Sequence, residues 1–456
     1  MNKTIPIFLI LLFTPFFFVF SQGYKIEVTV SDLPEQYLFL GYHYDGEIFK
    51  TDSVRTDKNG KAVFAGKENL PGGMYLLYFP DQKYFEFLIT ESQTFEIFSK
   101  KSDFLENVSF KGSKENSLFF EYQRNLNDLY RKRQLLTNKL KEYGADSAYS
   151  FSSKIESINN QISDYKDTFV KEHQGMFVST IVNATINPKI PSNIKDSIAA
   201  YRYFRNNYFE NVDFSDSRLL RTTVYPNRLR HFVKNVLPSD YDSINVEINK
   251  LLEKTKVNEE IQNYTMSSLY EYLRNSKIIT HEISAVYLAE HYFLNPNVNI
   301  KPEIRSMMKN YVKILKPNLV GQPARNFEME DITGKKQVLY NISANYTILY
   351  FFEPDCDICK TETPKLKELY KKYKSKNVEV LAIYPYSDTE KWKNYVKTNN
   401  LEWINLHDPE NISGFREKYN VQGTPLIYLL NKDKMIVIKY ITVEQLADLL
   451  KKFVGE

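Results

Sequence analysis

Cysteine is almost absent: Cys356 and Cys359 are the only two among 456 residues. A pair separated by two residues closes too small a loop to constrain much of an unfolded chain, so this is not a disulfide-stapled scaffold. Histidine is scarce too. Its six residues (His43, His173, His231, His281, His291 and His407) are scattered, and no second half of a four-ligand zinc site accompanies the cysteines. A charge excess is also missing. Sixty basic against 56 acidic side chains leave +4, of mixed sign, which is no nucleic-acid footprint. Beyond residue 21 no run approaches the ~20 apolar residues of a membrane-spanning helix.

The length implies two to four domains. Aromatics are abundant, 34 Tyr and 31 Phe, and their ordinary use is core packing. Residues 1–21 read as a cleaved signal peptide. Lys3 supplies the positive end, Ile5 to Phe20 the apolar run, and Val19 and Ser21 the small residues before the cut. The alternative is an uncleaved N-terminal anchor. Without a cysteine near the cut, lipid attachment there is excluded. An exported protein, in the periplasm or cell envelope, is expected.

Residues 22–110 read as a small antiparallel β sandwich or barrel. Lys25–Val30 alternates with Ile26, Val28 and Val30 on one face, and several short β-favouring runs follow at turn-like spacing. Asp45-Gly46 and Asn59-Gly60 have hairpin-turn chemistry. Residues 111–316 read as an all-α middle domain, with stripes such as Leu118, Tyr122, Leu126 and Tyr130, then Leu136, Leu140 and Tyr143. Its Arg218, Arg221, Arg228 and Arg230 are better read as ion-paired surface than as an anion site. Residues 317–456 alternate strand and helix. A hairpin turning at Gly334 precedes strand Ile348–Phe352, helix Lys360–Lys374, strand Val378–Tyr384 and helix Thr389–Thr398. Strand Trp403–Leu406, helix Ile412–Tyr419, hairpin Leu426–Leu430/Met435–Tyr440 and helix Val443–Val454 complete an α/β layout with a mixed sheet covered on both sides.

The two cysteines fall where strand Ile348–Phe352 gives way to a helix. The helix start offers free N–H groups and the positive end of its dipole, which stabilise a thiolate. A redox dithiol is the favoured reading; a local disulfide and half a metal site are the lesser ones. Cys356, first and more reachable, is the expected nucleophile, and Cys359 the resolving thiol.

With these residues in place, 321–456 resembles the thioredoxin-fold domain of the TlpA/ResA type, the extracytoplasmic thiol–disulfide oxidoreductases. Cys356-Asp357-Ile358-Cys359 takes the C-x-x-C place, Pro364 the helix-kinking proline, Thr424-Pro425 the cis-proline step and Glu362 the acid that tunes the thiols. The three-part layout is similar to that of exported Bacteroidota proteins. The resemblance implies catalytic roles for Cys356, Cys359, Glu362 and Pro425 and substrate contacts at Thr424, Asp357 and Ile358. It implies no cofactor and no metal; partners would be disulfide-containing exported proteins and a membrane or periplasmic electron donor. There are departures from the family pattern. Tyr350 stands where a buried carboxylate is common, and Asp355 replaces the usual tryptophan. Aspartates on both sides of Cys356 oppose a thiolate, which favours a stable disulfide and a reducing couple. A different reading makes the front domains a binding scaffold with an incidental or regulatory dithiol. Peroxidase chemistry fits less well, because Glu353 occupies the place of the threonine in T-x-x-C.

Overall fold

The computed structural model describes residues 23–79, 81, 83–102, 104–142 and 145–455. The expected leader over residues 1–21 and the striped Tyr143 lie outside them. The chain forms two compact units, one ending at Phe232 and the other running from Val233 to Glu456.

In the first unit the strands are β1 (Tyr24–Val30), β2 (Tyr37–Tyr44), β3 (Glu47–Arg55), β4 (Lys61–Gly66), β5 (Gly73–Tyr78), β6 (Tyr84–Ile89), β7 (Thr94–Ser99) and β8 (Ser109–Lys111). They make two four-stranded sheets, ordered β4-β1-β7-β8 and β3-β2-β5-β6. Ile26, Val28 and Val30 are buried, as their alternation requires. Asp45 and Gly46 both take positive φ and turn β2 into β3. The expected all-antiparallel arrangement is corrected at one place: β1 pairs in parallel with β7, Ile26 opposite Phe95. The chain leaves β1, builds the second sheet and returns in the same direction, a non-local pairing that no turn signal announces. Phe87 of β6 meets Phe95 of β7 at 6.0 Å between ring centres, joining the two sheets in one core.

Helices follow from Lys114. Glu115 accepts the amides of Phe177 and Val178 at 2.9 and 2.8 Å, satisfying the open N–H groups that start helix Phe177–Asn183. The four arginines have partners inside the fold. Arg218 binds Asp216 and Glu91, buried Arg228 donates to the carbonyls of Ala184 and Ile186, Arg230 binds Asn227, and Arg221 lies over Tyr44.

The second unit opens with helices Tyr241–Thr255, Glu259–Arg274, Ile279–Leu288 and Pro302–Leu315. It then builds β9 (Glu328–Asp331), β10 (Lys336–Val338), β11 (Tyr346–Phe351), β12 (Val378–Tyr384), β13 (Ile404–His407), β14 (Leu426–Asn431) and β15 (Ile436–Lys439). Their order is β10-β9-β13-β12-β11-β14-β15. β11, β12 and β13 are parallel, and β14 runs antiparallel to β11. Ile348, Tyr350 and Phe352 pack on one face with Leu366, Tyr370 and Leu446; Leu349 and Phe351 pack on the other with Leu406 and Phe415. Two buried faces explain why β11 reads as an unbroken apolar run.

One expected helix is shorter than its apolar spacing suggests. Asp408 takes the amides of Ile412 and Ser413, and Gly414 adopts φ +64°, so the helix is confined to Phe415–Lys418 and Ile412 is left exposed. At the sheet edge Lys439, 1% exposed, pairs with Glu282 of helix Ile279–Leu288 at 2.6 Å. Among the described residues no helix is long and apolar enough to cross a membrane.

Candidate active site

The register of β11 against β14 builds the site. Phe351 stands opposite Leu426, so the next residues of the one strand meet the preceding residues of the other. That sets the Glu353–Cys356 turn beside Thr424 and Pro425. The Thr424–Pro425 peptide is cis.

Helix Asp357–Tyr373 begins at Cys356, which serves as its N-cap: the Cys356 sulfur accepts the amide of Cys359 at 3.2 Å. Its thiol donates to the Thr424 carbonyl at 3.3 Å. Cys356 is half-buried and Cys359 fully buried. Burial pushes the Cys356 thiol up, but hydrogen bonds from Cys359, the Thr424 side chain and the Ile358 amide outweigh it, and the net shift is downward. Burial pushes Cys359 up to about 12, with the bond to Cys356 adding to the rise. The dithiol is thus split into a half-buried sulfur whose pKa is lowered and a buried one whose pKa is raised.

The acidic residues have separate surroundings. Asp357 is highly exposed and pairs with Lys360 at 2.9 Å; Asp355 pairs with Lys391. The expectation that these aspartates oppose a Cys356 thiolate is therefore corrected: each has a lysine, and the sulfur is governed by hydrogen-bond donors. Glu362, 7% exposed, gives one oxygen to Lys365 at 2.8 Å and the other to the Val443 amide at 2.7 Å. Although burial raises its pKa, these two bonds draw it below the ordinary glutamate value. Ile358 is 61% exposed beside the sulfurs. Tyr350 is buried and bonds Thr363 at 2.8 Å; burial raises its phenol far above the usual range, so it stays protonated.

Two neighbours escape a linear reading of the motif. Glu353 places a carboxylate oxygen 3.5 Å from the Thr424 hydroxyl. Tyr386, in the loop after β12, has its phenol raised by burial and then by the charge of Glu353. Parallel strands end on the same side of a sheet, so the residues after β12 had to fall beside those after β11. Among the described residues no three His, Cys, Asp or Glu side chains converge to hold a metal.

Residues 320–439 match the AhpC/TSA family. Residues 24–119 and 149–305 match two domains of unknown function, DUF4369 and DUF5106. Thiol-disulfide oxidoreductase ResA of Bacillus cereus (strain ZK / E33L) is 34% identical over 137 residues, which are 29% of this chain and 78% of that protein. This chain belongs to the ResA-like thiol–disulfide oxidoreductases. The ResA of Bacillus subtilis (strain 168) is 27% identical over 117 residues, 26% of this chain and 64% of that one. A thioredoxin-like protein from Bacteroides caccae shares the fold, with a TM-score of 0.50 at 23% identity over 59% of this chain and 98% of that one. In this oxidoreductase the half-exposed Cys356 sulfur sits between the buried Cys359, whose amide it accepts, and the Thr424 carbonyl, to which its thiol donates.

Proposed function

We propose that this chain is an exported disulfide reductase acting on disulfides of other extracytoplasmic proteins. The observation that carries the reading is the division of the dithiol, with Cys356 half-exposed and lowered and Cys359 buried and raised. Cys356 attacks a substrate disulfide and forms a mixed disulfide; Cys359 then attacks Cys356 and frees the reduced substrate. Thr424 and Pro425 present backbone to the bound segment, and Asp357 and Ile358 border it. Export is supported by the apolar stretch Ile5 to Phe20 behind Lys3. A membrane or periplasmic electron donor would restore the dithiol.

The reducing direction rests on what surrounds the sulfurs. Stabilising a thiolate makes a couple more oxidising. Here that stabilisation is confined to Cys356, through hydrogen-bond donors with Lys360 near enough to feel its charge, while burial keeps the proton on Cys359, so only one of the two sulfurs draws the couple toward oxidation. A measured potential above roughly −150 mV would reverse that direction. The division into residues 22–110, 111–316 and 317–456 belongs to the same proposal and is supported by the limits of the three family matches.

The test is capture. Cys359→Ser should accumulate mixed disulfides through Cys356 with a small set of exported proteins. If nothing is captured while Cys356→Ser leaves the cellular phenotype intact, the reading fails.

A further inference from the structure

A cleft of about 980 Å³ opens within the second unit, between its helices and its thioredoxin-like part. One wall carries Ile278, Met307 and Tyr311 of the helical segment; the other carries Asn420, Gln422 and Tyr440.

The path of the chain sets one end of this cleft beside the dithiol. Gln422 is two residues before Thr424, so their Cα atoms lie within about 7 Å. The Thr424 carbonyl takes the Cys356 thiol at 3.3 Å. β14 then runs away from the site and β15 returns antiparallel to it, with Lys439 opposite Tyr428. The Tyr440 amide donates at 2.9 Å to the carbonyl of Ile427, the second residue after Pro425. Gln422 and Tyr440 are thus both neighbours of the Thr424–Pro425 step.

Three large apolar side chains of the cleft stand open to solvent: Ile278 at 49%, Met307 at 55% and Tyr440 at 47%. Tyr440 is fixed. Its φ of +58° lies in a region that residues with a side chain seldom adopt and keep where the surroundings impose it. The Lys439 ammonium lies 4.6 Å from its ring centre, and the Tyr428 ring meets it edge-on at 6.0 Å. Lys439 is itself held by Glu282 of helix Ile279–Leu288. An aromatic anchored in this way and still half-exposed loses little freedom when a partner covers it. The polar part of the lining is rich in side-chain amides, Asn310, Asn420, Gln422 and Gln445. Each can donate and accept, as a peptide backbone requires. Gln422 donates to Asn420 at 3.1 Å, which steadies both. Charge selects nothing here, because Arg274 and Lys277 are balanced by Glu282 and Asp448.

We infer that this cleft binds the polypeptide flanking the target cysteine, as an extended uncharged segment that carries a large apolar side chain. The inference deepens the function proposed above and rests on it. A target sulfur joined to Cys356 lies about 2 Å from that sulfur. At about 3.3–3.6 Å per extended residue, roughly the third to fifth residues on one side of the target cysteine reach the cleft. The apolar residue seats among Ile278, Met307 and Tyr440, and the amides take its backbone. Target choice is then made in part by helices outside the thioredoxin-like fold.

The test uses the full-length reduced protein and synthetic peptides whose single cysteine is carried as a mixed disulfide with thionitrobenzoate. The short probe has a glycine on each side of the cysteine. The long probes extend one side or the other with serines and place a leucine fourth from the cysteine. Cys356 bonds to the peptide sulfur, the bond to thionitrobenzoate breaks, and the released thiolate is followed by absorbance. The readout is the ratio of long-probe to short-probe second-order rates within each protein, which cancels changes in the sulfur itself. One of the two long probes should react about tenfold faster than the short one, the gain from burying such a side chain. Ile278→Ser combined with Met307→Gln should bring that ratio to within about twofold of unity. Both changes suit their helices: residue 278 caps helix Ile279–Leu288 without a side-chain bond, where serine is favoured, and glutamine is a good helix former. Ile412→Ser, exposed and outside the cleft, should keep the tenfold ratio.

A parent ratio near one with brisk reaction of the short probe overturns this inference alone. So does a tenfold ratio that survives in the double variant, or an equal gain when lysine or glutamate replaces the leucine. A parent that is dimeric by light scattering and becomes monomeric in the double variant would make the cleft a contact between copies, which also overturns it. A short probe that fails to react through Cys356 would overturn the function proposed above and this inference with it.

Discussion

Replacing Glu362 by alanine should loosen the C-terminal helix and leave the dithiol chemistry in place. The Glu362 carboxylate holds the first amide of helix Val443–Val454 at 2.7 Å in a buried setting. Losing a charge-assisted hydrogen bond of this kind costs about 2 kcal/mol. The partly exposed pair with Lys365 adds only a few tenths, about 0.2–0.5 kcal/mol. The apolar side of the helix (Val443, Leu446 and Leu450) stays buried, so fraying is confined to the first turn. Since a factor of ten corresponds to about 1.4 kcal/mol, amides at the start of the helix should exchange with deuterium about thirtyfold faster in Glu362→Ala. Glu362→Gln keeps an oxygen for the Val443 amide and should lose about half of that free energy. The pH dependence has a definite sign. The folded-state pKa of Glu362 is lowered, so its contribution is fully present above the ordinary glutamate pKa. It fades as pH falls through the lower folded-state value, and parent and variant converge there. Hydrogen exchange with mass spectrometry over residues 441–454, at neutral and acidic pH, is the assay. Unchanged protection at neutral pH together with a collapsed thiol-exchange rate would refute this account and place the carboxylate in the chemistry.

The thiols offer a second prediction. Cys356 is lowered largely through its bonds with Cys359, so Cys359→Ala should shift the pH midpoint of Cys356 alkylation by iodoacetamide upward, and an unmoved midpoint would contradict that cause. Lys439→Met leaves Glu282 without its counter-charge in a partly buried place and should cost about 3 kcal/mol, seen as a lower melting temperature. Lys439→Met with Glu282→Leu should recover most of the loss; no recovery would mean that the pair is not what holds these elements.

How much of this is legible in the sequence varies along the chain. The α/β alternation of residues 328–454 is readable because β11 and β12 are buried on both faces and their apolar runs are continuous. Gly334, at φ +84°, marks its hairpin for the same local reason. What stays hidden depends on distant partners. Nothing near β1 reveals that β7 joins it in parallel, and Ile412 has helical spacing but loses its amide to Asp408. Within the site, Cys356 and Cys359 announce themselves by rarity. Glu353 looks like a mere strand terminator until Thr424, far along the chain, is brought to its side chain. Glu362 presents the opposite case. Its spacing from Cys359 points to the thiols, while Val443, which claims its carboxylate, follows only after the whole remaining sheet.

Lys439 has a consequence outside redox chemistry. β15 ends the sheet order, and an edge strand is where a second sheet could add on and begin aggregation. Here that border carries a buried ammonium whose counter-charge comes from helix Ile279–Leu288. Parting Lys439 from Glu282 would leave a buried ammonium without its counter-charge, a cost of several kcal/mol. Part of the ladder is also already taken, since Ile436 gives its amide to the Gln322 carbonyl and accepts the Gly321 amide, so this border offers a newcomer few free backbone groups beside the ion pair.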